Sequence, residues 1–123
     1  MITGIIVFAH GSRVEPANEA VRAVARELVR ATGCSQTTAA FLELAQPDLV
    51  AAADRLAAAG VERVVVIPYF LTPGLHMERD LPRLVSDIVE KHKGLRVEVA
   101  APLDGHPGLI GILAERFRSL EAD

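Results

Sequence analysis

Two stretches of this chain are apolar without a break: Ile5-Ile6-Val7-Phe8-Ala9 and Val64-Val65-Val66-Ile67. A strand wet on one face alternates apolar with polar residues; a strand covered on both faces does not. Both runs therefore belong inside a parallel sheet with helices above and below it. The other two strand-like stretches differ. Thr37 to Leu44 is less uniformly apolar, and Leu95-Arg96-Val97-Glu98-Val99 alternates strictly, as an edge strand should.

Four helical patterns separate and follow these strands. Pro16 suits a first helical position, since its missing N–H is unneeded there. Ala17, Ala20, Val21, Val24, Leu28 and Ala31 then recur at three- and four-residue steps up to Gly33. Arg22, Arg26 and Arg30 lie on the opposite face, which reads as solvated. A second helix opens at Pro47, carries Leu49, Val50, Ala53, Leu56 and Ala57, and closes at Gly60. The third carries Leu81, Leu84, Val85, Ile88 and Val89, with Asp80 as its N-cap before Pro82, and ends at Gly94. The last begins at His106-Pro107 and presents Leu109, Ile110, Leu113, Phe117 and Leu120 as its buried side.

This β-α-β-α-β-α-β-α pattern calls for an α/β three-layer sandwich, a single domain spanning residues 1–123. With the apolar strands central, the order is 2-1-3-4. Right-handed crossovers then put helices two and three on one face and helices one and four on the other. The winding direction reverses between strands one and three, and ligands bind in the crevice at such a reversal.

Three side chains converge on that crevice. His10 follows strand one in His10-Gly11-Ser12-Arg13; Glu43 ends strand two; His76 follows strand three in the loop Phe70-Leu71-Thr72-Pro73-Gly74-Leu75-His76. Each has an ordinary alternative: His10 bonded to backbone in a turn, Glu43 capping a helix or simply solvated. Asp80 either caps its helix or orients His76 as an outer carboxylate. Together two imidazoles and a carboxylate form an incomplete donor set for a divalent first-row metal, with room left for water or substrate. Successive members lie 33 positions apart, so no local metal motif exists. His92 and His106 read as surface histidines.

Composition removes other classes. The net charge is −3, with no basic run and no Trp, so nucleic acid is not an expected partner. Cys34 is the only cysteine and can form no internal disulfide. The longest apolar run, Val64 to Leu71, is far short of the ~20 residues that span a bilayer. With strand pattern directly after Met1, a soluble cytoplasmic domain without membrane contact is expected. A flavodoxin-like nucleotide or flavin module would want a richer phosphate loop than Gly11-Ser12. A histidine phosphatase would need Arg where Ala9 stands, and the hydrolase Gly-x-Ser-x-Gly is absent.

The chain resembles the class II tetrapyrrole chelatases, in particular the short sirohydrochlorin cobaltochelatase and ferrochelatase group (CbiX/SirB-like). The carriers are His10-Gly11-Ser12-Arg13 with Asn18, Phe41-Leu42-Glu43 with Gln46-Pro47, Val66-Ile67-Pro68-Tyr69-Phe70-Leu71, Gly74-Leu75-His76 and Asp80-Leu81-Pro82. The resemblance implies a four-stranded chelatase fold. It also implies metal-binding and catalytic roles for His10, His76 and Glu43 in inserting Co²⁺, Fe²⁺ or Ni²⁺ into sirohydrochlorin. No cofactor beyond that substrate metal is implied. Ser12 and Arg13 then suit the substrate's carboxylates, and Leu71, Leu75 and Met77 its flat face. A non-enzymatic metal or tetrapyrrole carrier with the same site is the alternative. One lobe leaves the far face of a macrocycle uncovered, so a homodimer with a shared cleft is expected.

Overall fold

The computed structural model describes residues 1–121. The elements alternate: β1 (Thr3–Ala9), α1 (Glu15–Thr32), β2 (Thr37–Phe41), α2 (Leu49–Ala58), β3 (Arg63–Pro68), α3 (Leu75–Lys91), β4 (Arg96–Val99) and α4 (Pro107–Arg118). The four strands form one parallel sheet in the order β2-β1-β3-β4. The expected order holds, and for the expected reason. β1 is buried from Gly4 to Ala9, while β4 has no buried residue.

The pleat sends alternate β1 residues to opposite cores. Ile6 and Phe8 pack with Ala40, Val64 and Val66 under α2 and α3, through Leu49, Ala52, Ala53, Leu56, Met77 and Ile88. Val7 and Ala9 face the other way, with Ala39 and Phe41, and take Val21 and Ala25 of α1. Helices α2 and α3 share a face, as right-handed crossovers require. They are also tied by charge: Asp54 on α2 accepts from Lys91 Nζ at 2.8 Å and lies 2.6 Å from His92 Nε2. The Lys91 ammonium, and after it His92, holds the Asp54 carboxyl below its ordinary value.

A depressed carboxyl stabilises the fold above its unfolded value near 3.8, and that contribution is lost as pH falls through the lower folded value. Asp54→Asn should therefore be less stable than the parent at about pH 7, with the difference shrinking in acid well below pH 3.8. Urea midpoints at the two pH values check this; a difference that persisted undiminished in acid would contradict it.

Three elements depart from the sequence expectation. Helix α2 starts at Leu49, not Pro47, because the Asp48 side chain accepts from Ala51 N at 2.8 Å and caps it. Helix α3 starts at Leu75, seven residues before Pro82, so Asp80 is an interior residue and not a cap.

The largest departure is α4. None of its residues is buried; Ile110, Leu113 and Phe117 are 69, 64 and 68% exposed. The sheet's second face thus carries α1 and not the expected pair. The cause lies in the connection after β4. Ala100 N donates to Val66 O, Leu103 N to Phe70 O and Asp104 N to Leu71 O. The segment keeps running alongside the chain that leaves β3, past the strand ends. It delivers α4 beyond the carboxyl edge of the sheet, without turning back over it. Among the described residues, no helix is long and apolar enough to cross a membrane.

Candidate active site

The strand pairing between β1 and β2 outlasts both strands. Leu42 N donates to Ala9 O at 2.9 Å and Glu43 N to His10 O at 3.1 Å. Glu43 is therefore held beside His10 although β2 ends two residues earlier. The approach is possible only because residue 11 is glycine. Its φ is +92°, and a Cβ there would lie 1.8 Å from the Glu43 carbonyl oxygen. Beyond Glu43, Leu44 takes φ 67°, an uncommon left-handed conformation for a leucine.

Two side chains brace these loops. Asn18 is 1% exposed; its Oδ1 accepts from Ser12 N, and its Nδ2 donates to Ser12 O, both at 2.8 Å. Arg22, read from sequence as part of a solvated row, stacks on Phe41 at 5.2 Å and donates to Gln46 O at 3.2 Å. It links α1 to the loop that carries Glu43. Sequence reasoning missed this because helical periodicity places Arg22 on the polar face without showing the loop that reaches it. Asn18→Ala should leave the Ser12 backbone groups unpaired and cost about 1–3 kcal/mol. Chemical denaturation measures that directly, and an unchanged midpoint would refute the clamp.

His10, Glu43 and His76 line one cleft of about 430 Å³, with Phe41, Leu42, Asp48, Leu49, Val50, Asp80, Arg83 and Leu84. The convergence expected from topology is present. A tighter arrangement is not: among the described residues, no three His, Cys, Asp or Glu side chains stand close enough to hold one ion. The three form an open donor set along a cleft wall. Three carboxylates (Glu43, Asp48 and Asp80) against Arg83 bias the cleft toward cations. Asp48 and Arg83 were not singled out in the sequence. The signals were available, since Asp48 directly follows Pro47 and Arg83 lies one helical turn past Asp80.

The imidazoles sit differently. His10 leans on Phe70, with ring centroids 5.6 Å apart and planes at 51°. His76, the second residue of α3, has Nδ1 2.9 Å from Arg79 Nη2. A guanidinium only donates, so Nδ1 accepts and the neutral ring carries its proton on Nε2. His76 must leave Arg79 before it can take a proton or a metal at Nδ1. Asp80 makes no bond to His76; its carboxylate lies 3.3 Å from Arg83 and 3.6 Å from Arg79. Its expected role in orienting His76 is not formed.

The remaining candidates lie outside this cleft. The Ser12 hydroxyl accepts from Val14 N at 3.0 Å and shapes the turn before α1. Arg13 is exposed on the same turn. Leu71 and Leu75 are 58 and 80% exposed on the loop after β3. Met77 is corrected: it is fully buried in the core under α3 and presents no surface to a ligand over the cleft.

The CbiX family model matches residues 4–120. A chloroplastic sirohydrochlorin ferrochelatase of Arabidopsis thaliana is 33% identical over 94% of this chain and 51% of its own length. A sirohydrochlorin cobaltochelatase of Sulfurisphaera tokodaii is 28% identical over 95% of the chain and 92% of its own length. The crystal structure of a CbiX protein from Marinobacter aquaeolei VT8 superposes with a TM-score of 0.82 at 28% identity, covering 95% of both chains. The chain thus spans about half of the plant relative and nearly all of the archaeal one. A single four-stranded lobe, a cleft at the β1/β3 reversal and a family match across almost every residue lead to one conclusion: this chain belongs to the CbiX family.

Proposed function

We propose that this chain inserts a divalent metal, Co²⁺, Fe²⁺ or Ni²⁺, into sirohydrochlorin, and that two copies form the working unit. The observation that carries the reading is the meeting of His10, His76 and Glu43 in one cleft at the carboxyl end of β1 and β3. The relatives named as sirohydrochlorin chelatases agree with it.

Insertion exchanges two N–H protons of the macrocycle for one M²⁺ and strips the ion of water. The open donor set suits that exchange, because a metal in transit must be released to four ring nitrogens. A closed cage would hold it. His10 and His76 share metal delivery and proton removal; one imidazole cannot carry both ligands at the same nitrogen at once. Glu43 offsets the cation's charge and takes protons onward to solvent. Arg83 in the cleft, with Ser12 and Arg13 on the neighbouring turn, meets the substrate's carboxylates. Leu71 and Leu75 lie against its flat face. The metal is chosen by supply, since imidazole and carboxylate donors accept all three ions.

A cleft of about 430 Å³ is near the lower end of the ~300–1,000 Å³ typical of ligand pockets, and a tetrapyrrole overhangs it. A second copy facing the first supplies the missing wall. Purified protein with sirohydrochlorin and each metal, followed by the absorbance of the macrocycle, tests the reaction. Glu43→Gln should slow insertion by about 10²-fold, within the range for losing a proton-transfer group. An unchanged rate in that variant would remove Glu43 from the mechanism.

A further inference from the structure

Helix α3 opens on a polar ridge. Arg79, Asp80 and Arg83 follow His76 by three, four and seven positions, so all four share one side of the helix. His76, Asp80 and Arg83 line the His10 cleft; Arg79, with its side chain 66% exposed, stands outside that lining. Its guanidinium nevertheless governs what His76 can do. With Arg79 Nη2 donating to Nδ1 at 2.9 Å, the Nδ1 lone pair is taken. The ring proton then sits on Nε2, and that nitrogen has no lone pair to offer either. Moving the proton to Nδ1 would set two N–H groups against each other. One hydrogen bond thus closes both metal donors of the ring at once.

The hold is easily broken. His76 and Arg79 are both exposed, and a guanidinium pairs more strongly with a carboxylate than with a neutral imidazole. The ridge cannot supply that carboxylate in full. Asp80 is shared, 3.6 Å from Arg79 Nε and 3.3 Å from Arg83 Nη2, so two guanidiniums face one carboxylate. One positive charge is left over beside the cleft that a polycarboxylate would enter.

We propose that Arg79 masks His76 and that a carboxylate of the incoming macrocycle removes the mask. Arg79 turns to that carboxylate, Nδ1 is released, the Nε2 proton is free to shift, and His76 becomes a metal ligand once the macrocycle is in place. Macrocycle and metal then each raise the affinity for the other. The unmasking rests on the chelatase reading above; the mask rests on the geometry of His76 and Arg79 alone.

Calorimetric titration of Co²⁺ into the protein without macrocycle tests the mask. Arg79→Met keeps an aliphatic side chain and loses every donor. It should bind Co²⁺ about 10-fold more tightly than the parent, the effect of releasing one charge-assisted hydrogen bond. Arg79 is exposed, so the variant keeps its fold. In a His76→Ala background the same substitution should gain nothing. Equal Co²⁺ affinity in Arg79→Met and the parent would overturn the mask. A gain that survived in His76→Ala would also overturn it, because relief of charge repulsion alone gives that result. Steady-state insertion tests the unmasking: Arg79→Met should raise KM for sirohydrochlorin about 10-fold while lowering KM for Co²⁺. An unchanged KM for sirohydrochlorin would overturn removal of the mask by a carboxylate. A parent that bound Co²⁺ but turned over no sirohydrochlorin would overturn the chelatase reading and the carboxylate's part with it, while the titration would still decide the mask.

Discussion

His10→Ala and His76→Ala each lower the rate of metal insertion by about 10²–10⁴-fold, the range for losing a positioned proton-transfer group, while the protein stays folded. Both imidazoles line the cleft, and neither belongs to the buried cores, so truncation removes chemistry without opening a cavity. His92→Ala and His106→Ala serve as controls. His92, just past the far end of α3, pairs with Asp54 of α2, and His106 Nδ1 accepts from Gly108 N to cap α4. These should change stability slightly and leave the rate unaltered. Near-parental turnover in a folded His10 or His76 variant would mean that the cleft is not where insertion occurs.

Gly11→Ala has the second large effect, and it acts through the backbone. The added Cβ would stand 1.8 Å from the Glu43 carbonyl oxygen, and φ +92° is itself unfavourable for alanine. No flexible side chain can yield there, so the turn after β1 and the loop after β2 must separate. The combined strain and overpacking cost about 3 kcal/mol. The bond from Glu43 N to His10 O is then broken, and Glu43 leaves His10. Insertion should fall at least as far as in Glu43→Gln. A variant with unchanged denaturation midpoint and unchanged rate would refute the contact.

Much of the fold was legible because strand burial is written in composition. The unbroken runs from Ile5 and Val64 could only be central, the alternation from Leu95 could only be an edge, and handedness supplied the rest. Convergence of His10, Glu43 and His76 followed from strand order alone. What escaped depended on contacts made across the chain. Pro82 reads as a helix start because an interior proline lacks a donor and crowds the preceding turn. Yet α3 runs through it from Leu75. Met77 reads as a loop residue facing a ligand, and with α3 begun two residues earlier it turns into the core. Periodicity showed that α4 has an apolar face but not that its connection carries it off the sheet. The same limit hid Arg22, whose partners Gln46 and Phe41 lie well ahead of it in the sequence.

The central claim is catalysis at this cleft, and a count of products per chain tests it most directly. Protein is mixed with a hundredfold excess of sirohydrochlorin and Co²⁺, and metallated macrocycle is followed against a protein-free control. Many equivalents formed per chain, at a rate abolished together with His10 and His76, is the expected result. Product that levels off at one equivalent or fewer per chain, with no acceleration over the control, would contradict it and leave a carrier of metal or tetrapyrrole in its place.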